Sequence, residues 1–295
     1  MSVLSVCLHP VLQRTCELER LQENRVNRCL SLRIDASGKG VNVTRVLSQL
    51  GKEVVHLTPL GGAFKDFFLR LVEKDGLHLD WVDSESEIRI CYTVISRSKH
   101  TATEIVEEAP PVGPATDALI RGRFVQLLTC ADTLILSGSK AAGFNQDIFP
   151  WMVQQAKAQG RNVILDVRGP DLLQSLPNQP DLIKPNFREF LATFFPGRQA
   201  VAEERWRRKM EELQEQGIGV ILTQGPGPVF YTSAAGICRK EVGPLTAVNA
   251  IGSGDAFTAG LASVWCETRD LEAAVAKAVW CGQQNALQLK PGSLY

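Results

Sequence analysis

Residues 249–255 read Asn-Ala-Ile-Gly-Ser-Gly-Asp, and the apolar run Ala-Phe-Thr-Ala-Gly follows at 256–260. We expect a helix to begin at these glycines, with Asp255 in its first turn. Unpaired backbone N–H groups at a helix start bind anions, and glycine lets the backbone approach a charged ligand. A carboxylate beside such a site suits proton removal from a hydroxyl that attacks a phosphoryl group. The alternative from this segment alone is a Gly-rich turn with Asp255 as a helix cap.

A second Gly-rich segment lies near the other end of the chain, where residues 37–44 read Ser-Gly-Lys-Gly-Val-Asn-Val-Thr. Together the two segments resemble the two signatures of the PfkB family, the ribokinase-like carbohydrate kinases. The residues that match the first signature are Gly38, Gly40, Asn42, Thr44, Gly51 and Gly61. The residues that match the second are Gly252, Gly254 and Asp255. Both signatures occur in the family's order, and the resemblance covers essentially the whole chain.

Within the family, the chain is most similar to kinases of phosphorylated ketohexoses, 1-phosphofructokinase and tagatose-6-phosphate kinase. The phrases that carry this likeness are residues 33–40, 103–105, 136–139 and 182–186. Lys39, inside the Gly-rich loop, is typical of members whose substrate already carries a phosphate. The resemblance therefore implies ATP-dependent phosphoryl transfer, with Mg²⁺, to a hydroxyl of fructose 1-phosphate, tagatose 6-phosphate or a similar sugar phosphate.

The composition excludes several other classes of protein. Lys plus Arg and Asp plus Glu both number 32 in 295 residues, so the formal net charge is zero and a nucleic-acid partner is not expected. The eight cysteines form no C-x-x-C pair and no histidine cluster accompanies them, which argues against a zinc site. We recognise no signal peptide and no apolar run long enough to cross a membrane. These observations predict free thiols and a cytoplasmic location.

Strands alternating with helices predict an α/β fold with a mostly parallel sheet covered on both faces. The family resemblance makes this a ribokinase-like three-layer sandwich that occupies residues 1–295 as a single kinase domain. Two polar-alternating segments, 12–34 and 88–106, do not suit the layered sheet, and 89–96 and 101–106 are predicted as strands joined by a tight turn. We expect these segments to form a small β-sheet lid and to pair with a second copy in a homodimer.

Ligands bind beyond the carboxyl ends of parallel strands. Several polar residues fall just past predicted strand ends, namely Ser137, Ser139, Asp166, Lys184 and Thr223. Their shared position predicts a site at this edge of the sheet.

Catalytic and substrate-binding roles follow from the chemistry and from the resemblance. Asp255 is predicted as the general base, with backbone N–H groups of Gly252, Ser253 and Gly254 binding the transferring phosphoryl group. Lys39 and Arg89 are the candidates for the substrate's own phosphate, since both carry charge that suits a phosphate. The other candidates for sugar contacts are Gln13, Gly38, Asn42 and Ser139.

Nucleotide and metal contacts are also implied by the resemblance. Asn186 and Glu189 match an Asn-x-x-Glu element that orders Mg²⁺ and phosphates through bound water, although a helix start with Glu in its first turn explains them too. The candidate nucleotide contacts are Lys184, Thr223, Gly225, Ala250 and Asn285. The chain has no Walker lysine motif, so a P-loop kinase is not supported.

The chain departs from the family pattern at the start of the lid. The family's Asn-Pro-Ala-x-Asp is replaced by residues 9–13, His-Pro-Val-Leu-Gln, so Gln13 stands where an aspartate binds sugar hydroxyls. Ala250 replaces a frequent threonine, and Lys140-Ala141-Ala142 replaces a usual Leu-Pro. These changes leave two alternatives open: a phosphosugar-binding protein with little or no turnover, and a kinase of an unphosphorylated sugar or a nucleoside.

Overall fold

The structure, a computed structural model, describes residues 2–198 and 200–295. The strands are β1 (Ser2–Val6), β2 (Val11–Leu18), β3 (Ser31–Ser37), β4 (Glu53–Leu60), β5 (Leu79–Asp83), β6 (Arg89–Ser96), β7 (Thr101–Val106), β8 (Thr133–Ser137), β9 (Asn162–Asp166), β10 (Leu182–Ile183), β11 (Gly219–Leu222), β12 (Val229–Ser233) and β13 (Gly236–Lys240). The helices are α1 (Lys39–Gln49), α2 (Lys65–Lys74), α3 (Thr116–Leu128), α4 (Ile148–Ala158), α5 (Gly169–Ser175), α6 (Phe187–Phe194), α7 (Glu203–Glu215), α8 (Ser253–Thr268) and α9 (Leu271–Ala286).

A nine-stranded sheet runs through the molecule in the order β13-β12-β11-β10-β9-β8-β1-β4-β5. The strands from β11 to β5 are parallel, and the β12–β13 hairpin extends one edge in antiparallel pairing. Side chains alternate between the two faces of each strand, so Leu134 and Leu136 of β8 enter one core while Ile135 enters the other. Both faces of the sheet are therefore buried, which explains the continuous apolar runs of these strands.

Helices cover the sheet on both sides. One core receives side chains of α3, α4, α6 and α7, among them Phe124, Phe149 and Phe190. The core on the opposite face of the sheet receives side chains of α1, α8 and α9, among them Val46 and Leu261. This helix–sheet–helix arrangement confirms the predicted α/β three-layer fold class.

A separate four-stranded sheet has the order β3-β2-β6-β7. Its two outer pairs are antiparallel, but β2 and β6 are parallel, so the sheet is mixed. The predicted lid segment 12–34 is longer at both ends in the structure, because β2 begins at Val11 and β3 continues to Ser37, directly before α1. The strands predicted at 89–96 and 101–106 match β6 and β7. The Gly-rich segment at which α1 begins therefore connects the end of β3, in the small sheet, to the main body of the molecule.

Among residues 2–198 and 200–295, no helix is both long and apolar enough to span a bilayer.

Candidate active site

A buried carboxylate lies at the centre of the strand-end cluster. Asp166, the last residue of β9, has its oxygens 3.2 Å from Lys39 Nζ and 3.3 Å from Lys184 Nζ. Thr258 of α8 donates its hydroxyl to Asp166 at 3.0 Å. Burial opposes ionisation of Asp166, but Lys184 and Lys39 outweigh it, so the pKa of this carboxyl is lowered. Asp166 therefore joins α1, β9, β10 and α8 into one charged cluster.

Lys39 is the first residue of α1 and stays charged in this cluster. Burial alone would lower the pKa of its ammonium, but the attraction of Asp166, Glu189 and Asp255 is larger, and the pKa is raised. Its Nζ also lies 3.9 Å from Glu189 Oε1. The structure thus brings together the predicted residues Lys39, Lys184 and Glu189.

Asp255 lies in the first turn of α8 and is buried. Its Oδ2 accepts a hydrogen bond of 2.8 Å from Asn42 Nδ2 of α1. Burial raises the pKa of Asp255 to about 6, against the opposing attraction of Lys39. A carboxylate with this pKa is a better proton acceptor than an ordinary aspartate and is still ionised at neutral pH.

The turn before α8 presents backbone donors beside Asp255. Within residues 2–198 and 200–295, the N–H groups of Gly252 and Gly254 have no hydrogen-bond acceptor. The Ser253 N–H donates to Ala250 O at 3.2 Å, so it closes the turn. The predicted set of three backbone donors is therefore reduced to two, those of Gly252 and Gly254. Lys184 Nζ lies beside Gly254, 3.9 Å from where a side chain would begin there.

Gly252 is required by the backbone of this turn. Its φ is +83°, and a Cβ there would lie 2.7 Å from Gly292 N. Asn285 of α9 stabilises this turn. Its amide donates a hydrogen bond to Ile251 O at 2.9 Å and accepts one from Gly292 N at 2.7 Å. Asn285 is 0% exposed. The amide of Asn285 is thus occupied in fixing the Gly-rich turn, and its contact with a nucleotide stays a prediction.

Asn42 is likewise occupied within the protein. Its Oδ1 accepts from Ser37 Oγ at 3.0 Å and from Arg45 at 3.1 Å, while Nδ2 donates to Asp255. The sequence predicted that Asn42 contacts sugar hydroxyls. In the structure its amide donates to the carboxylate of the candidate base, and the contact with a sugar stays a prediction.

His9 and Arg89 line one small cavity near Ser139. His9 Nδ1 lies 3.2 Å from Ser139 Oγ. Burial, reinforced by repulsion from Arg89, lowers the pKa of His9 to about 4, so its ring is neutral at pH 7. His9 Nε2 and Arg89 Nε are buried and lack a hydrogen-bond partner among the described residues. Arg89 also has no carboxylate within 4.0 Å in the described part of the chain, which leaves its charge available to an anion.

Gln13 lies in the middle of β2 and is buried. Its Nε2 donates to Thr93 Oγ1 of β6 at 2.9 Å. In the small sheet it pairs with Asp35 on one side and Cys91 on the other. The position of Gln13 on a strand of the small sheet matches the prediction, whereas its contact with a sugar stays a prediction.

Asn186 and Glu189 form a capping box at the start of α6, with Glu189 N–H donating to Asn186 Oδ1 and Asn186 N–H donating to Glu189 Oε2. The other oxygen, Oε1, faces Lys39 at 3.9 Å and Arg168 at 3.7 Å. No cluster of three or more His, Cys, Asp or Glu suited to a metal occurs in residues 2–198 and 200–295. One carboxylate oxygen would suit Mg²⁺ held mainly by water and phosphates better than an all-protein metal cage, and a role of Asn186 and Glu189 in ordering Mg²⁺ stays a prediction.

A cleft of about 540 Å³ opens beside this cluster. Ser139, Asn186 and Glu189 line it, together with Arg168 and Arg188. The predicted nucleotide residue Thr223 is close by, because it forms a bridge with Asn186 and accepts a 2.8 Å hydrogen bond from Phe187 N–H.

Two other predicted nucleotide residues, Gly225 and Ala250, lie in turns outside the charged cluster. Gly225 has a φ of +62°, and a Cβ added there would meet no atom of the described residues within 4 Å. Ala250 is exposed. Their contacts with a nucleotide stay predictions.

Sequence reasoning assigned no role to Thr258 or Arg45, and it placed Asp166 only at a strand end. The signal for Asp166 was its position after a buried strand. Arg45 could have been noticed as a charged residue between Val43 and Val46 on an apolar helix, three positions after Asn42.

The fold matches several solved structures. A possible 1-phosphofructokinase from Thermotoga maritima has a TM-score of 0.90 at 22% identity, over 100% of this chain and 94% of that one. Phosphofructokinase-2 from Escherichia coli, in complex with substrates and products, has a TM-score of 0.86 at 20% identity, over 97% and 93%. Ribokinase from Thermotoga maritima has a TM-score of 0.74 at 16% identity, over 99% and 94%.

At these identities the structural likeness shows a common fold. The sequence itself matches the model of the pfkB family carbohydrate kinases over residues 10–293. The chain therefore belongs to the pfkB family of carbohydrate kinases.

Proposed function

We propose that this carbohydrate kinase transfers the γ-phosphoryl group of ATP to a hydroxyl of a phosphorylated ketohexose, with Asp255 as the general base. The observation that carries the proposal is the position of Asp255, whose pKa is raised to about 6. It lies at the N-terminus of α8, beside the N–H groups of Gly252 and Gly254, which have no acceptor in the part of the chain that the structure describes. A base and an anion site in adjacent residues are what in-line transfer to a hydroxyl requires.

In the proposed reaction the sugar hydroxyl oxygen forms a bond to the γ-phosphorus while the bond from that phosphorus to the leaving ADP oxygen breaks. Asp255 accepts the hydroxyl proton. The N–H groups of Gly252 and Gly254 stabilise charge on the transferring group, and Lys184 adds a nearby ammonium. Mg²⁺, bound to the ATP phosphates, would supply further charge neutralisation, with Glu189 and Asn186 ordering its water ligands.

The phosphate already on the sugar is assigned to Arg89 and Lys39. Arg89 carries a guanidinium without an acidic partner among the described residues and lies beside His9. Lys39 is charged but shares Asp166 with Lys184, so we expect Arg89 to contribute more of the binding. A structure of phosphofructokinase-2 from Escherichia coli was determined with fructose-6-phosphate, which agrees with a sugar phosphate as the acceptor class.

The test is a screen of purified protein with ATP and Mg²⁺ against fructose 1-phosphate, fructose 6-phosphate, tagatose 6-phosphate, fructose and adenosine. ADP release and the phosphorylated product are both measured, with Asp255→Asn as the control. We expect product only from ketohexose phosphates. Product from fructose or adenosine alone would overturn the acceptor class. Binding of a ketose phosphate without any product would favour the phosphosugar-binding alternative.

We further propose that the chain acts as one kinase domain, in the cytoplasm, and that it forms a homodimer through the small sheet. Leu32 of β3 and Ile105 of β7 are 55% and 59% exposed. Both lie on the same face of the small sheet. Leu32 pairs with Cys16 and Cys16 with Val94, while Ile105 pairs with Tyr92, two residues before Val94 on β6, and alternate residues of a strand share a face. A small sheet with exposed apolar side chains is stabilised when a second copy covers it.

A further inference from the structure

Arg45 is a buried arginine in the middle of α1, and it makes four hydrogen bonds. It is 2% exposed. Its guanidinium donates to Asp75 Oδ2 at 2.9 Å and to Asn42 Oδ1 at 3.1 Å. It also donates to the backbone oxygens of Pro291 at 2.8 Å and Ala36 at 2.6 Å. A charged group this deeply buried needs such partners. Asn42 lies on α1 itself, and the other three lie in β3, at the end of α2 and near the C-terminus.

The contact with Asn42 determines which way that amide faces. Asn42 Oδ1 receives two donors, Arg45 and Ser37, while Nδ2 donates to Asp255 at 2.8 Å. With the amide reversed, its NH₂ group would face the Arg45 guanidinium, which only donates, and its oxygen would face a carboxylate. The Ser37 hydroxyl can accept as well as donate, but the contacts with Arg45 and Asp255 would both be lost. Arg45 therefore fixes the donor toward Asp255, and Ser37 adds a second hydrogen bond to the amide oxygen in this orientation.

We infer that Arg45 is a positioning residue for Asp255, acting through the amide of Asn42. This inference rests on the proposed role of Asp255 as general base. Arg45 touches no reacting atom; it holds Asn42 so that one N–H always stabilises the ionised carboxylate and fixes its orientation toward the acceptor hydroxyl.

Several charged groups surround Asp255 and Arg45. Their influence on the pKa of Asp255 has to be distinguished from that of Arg45. Asp255 is faced by Lys39 from α1, by Asp166 from β9, by Lys184 after β10 and by Cys7 after β1.

On the other side, Arg45 is faced by Asp75 at the end of α2, by Lys290 near the C-terminus, and by Arg33 and Asp35 of β3. Removal of the Arg45 charge would raise the pKa of Asp255 even without Asn42. The test therefore needs one variant that changes no charge.

The experiment is a ¹³C NMR titration of the Asp255 carboxyl in the unliganded full chain, assigned by its loss in Asp255→Asn. Arg45→Lys, Arg45→Met, Ser37→Ala and Asn42→Ala are compared with wild type, and Arg45→Met is also combined with Asn42→Ala. We expect Arg45→Met to raise the titration midpoint by about one pH unit, and Ser37→Ala, which changes no charge, by about half a unit. Arg45→Lys should fall between wild type and Arg45→Met.

In the Asn42→Ala background, Arg45→Met should cause less than about half of its shift in the wild-type background, because its path to Asp255 is gone. The full shift in both backgrounds, or an unchanged midpoint in Ser37→Ala and Arg45→Lys, overturns the inference. If Arg45→Met does not fold, the Ser37→Ala and Arg45→Lys midpoints still decide.

Activity is a separate readout. We expect Arg45→Lys to lower kcat about tenfold with an unchanged KM for ATP, because the contact acts on the base and not on the nucleotide. If wild type transfers no phosphoryl group to any acceptor, the proposed function fails, while the NMR result still shows whether Arg45 positions Asp255.

Discussion

The ammonium of Lys39 lies 3.2 Å from the buried carboxylate of Asp166, although the two residues are 127 positions apart in the chain. Asp166 also forms a salt bridge with Lys184, whose Nζ lies 3.3 Å from Asp166 Oδ2. One carboxylate thus holds two ammonium groups beside the first turn of α8. The net charge of these three side chains is +1. Two ammonium groups held at one point suit the phosphates of the two proposed substrates, and the zero net charge of the chain does not preclude such a local arrangement.

Lys39→Ala should raise the KM for the sugar phosphate much more than the KM for ATP. A lost charge-assisted contact is worth roughly 1.5–3 kcal/mol, which corresponds to about ten- to a hundredfold. Steady-state kinetics with each substrate varied in turn measures this, and Lys74→Ala, at an exposed position, is the control. Equal changes in both constants would show that Lys39 does not bind the substrate phosphate.

Asp166→Asn should lower the free energy of unfolding by about 3–5 kcal/mol at pH 7, because Lys184 stays buried without its counter-ion. The pKa of Asp166 is lowered in the folded state, so its contribution is present above the unfolded pKa near 3.9 and is lost as the pH falls through the folded pKa. Urea unfolding at pH 7 and at pH 3 measures both effects. Glu215→Gln, which breaks an exposed pair with Arg208, should cost less than about 1 kcal/mol; a similar loss in both variants would contradict the role of Asp166.

Asp255→Asn should lower kcat by roughly 10²–10⁴-fold and leave ATP binding intact, because the base is lost and the shape is kept. In wild type, kcat/KM should fall below about pH 6, where Asp255 becomes protonated. His9→Asn is the control: the pKa of His9 is lowered to about 4, so this variant should keep the acid limb at pH 6. An acid limb that moves in His9→Asn would reassign the titrating group.

The same Asp255→Asn variant should be more stable than wild type at pH 8. The folded state raises the pKa of Asp255 from 3.8 to about 6, so ionising it costs roughly 3 kcal/mol above pH 6. That cost declines between pH 6 and pH 4 and is absent at lower pH. Urea unfolding should therefore show a gain at pH 8 that disappears at pH 3.5, and no gain at pH 8 would argue against a raised pKa.

Ile105→Lys should convert the proposed dimer to a monomer, because it places a charge on an exposed apolar position of β7. Sedimentation velocity at micromolar concentration measures the mass. Leu119→Lys, on the exposed side of α3, is the control and should leave the dimer intact. A monomeric wild-type protein would contradict the proposed dimer. It would not affect the proposed kinase activity, which has its own test.

The sequence was sufficient for the architecture because the signals are local. Alternation of buried strands with helices placed the parallel sheet, and the two Gly-rich segments placed α1 and α8. Two elements gave no such signal: β5 (Leu79–Asp83) is a half-buried edge strand, and α5 (Gly169–Ser175) has only seven residues. Short elements of mixed polarity are stabilised mainly by their neighbours, which the local pattern does not contain.

The site was predictable only in part. Asp255 and Lys39 lie in motifs, so their presence in the cluster followed from the sequence. Asn42, Arg45 and Asn285 have amide or guanidinium groups whose partners lie far along the chain, such as Asp255 for Asn42 and Pro291 for Arg45. Nothing local distinguishes a polar side chain that contacts a substrate from one that holds another side chain in place.

Gln13 should determine sugar preference, because it stands where the family resemblance implies an aspartate that binds sugar hydroxyls. An amide in place of a carboxylate weakens acceptance from two adjacent hydroxyls and adds a donor, and here that donor is bound to Thr93. Sites that hydrogen-bond a substrate hydroxyl discriminate strongly, because a mismatch leaves a buried group unpaired. We therefore expect weak activity of wild type on fructose 1-phosphate and improved activity in Gln13→Asp.

The measurement is kcat/KM for several ketose phosphates in wild type, Gln13→Asp and Gln13→Asn. The register sets Gln13 opposite Asp35, whose carboxylate is already paired with Arg33 at 2.6 Å, so a second carboxylate would lie near a neutralised one. Gln13→Asn keeps an amide without the charge and should not improve fructose 1-phosphate turnover. If wild type already uses fructose 1-phosphate efficiently and Gln13→Asp impairs it, the amide is the matched group, and the preferred sugar has a hydroxyl pattern that needs a donor at this position.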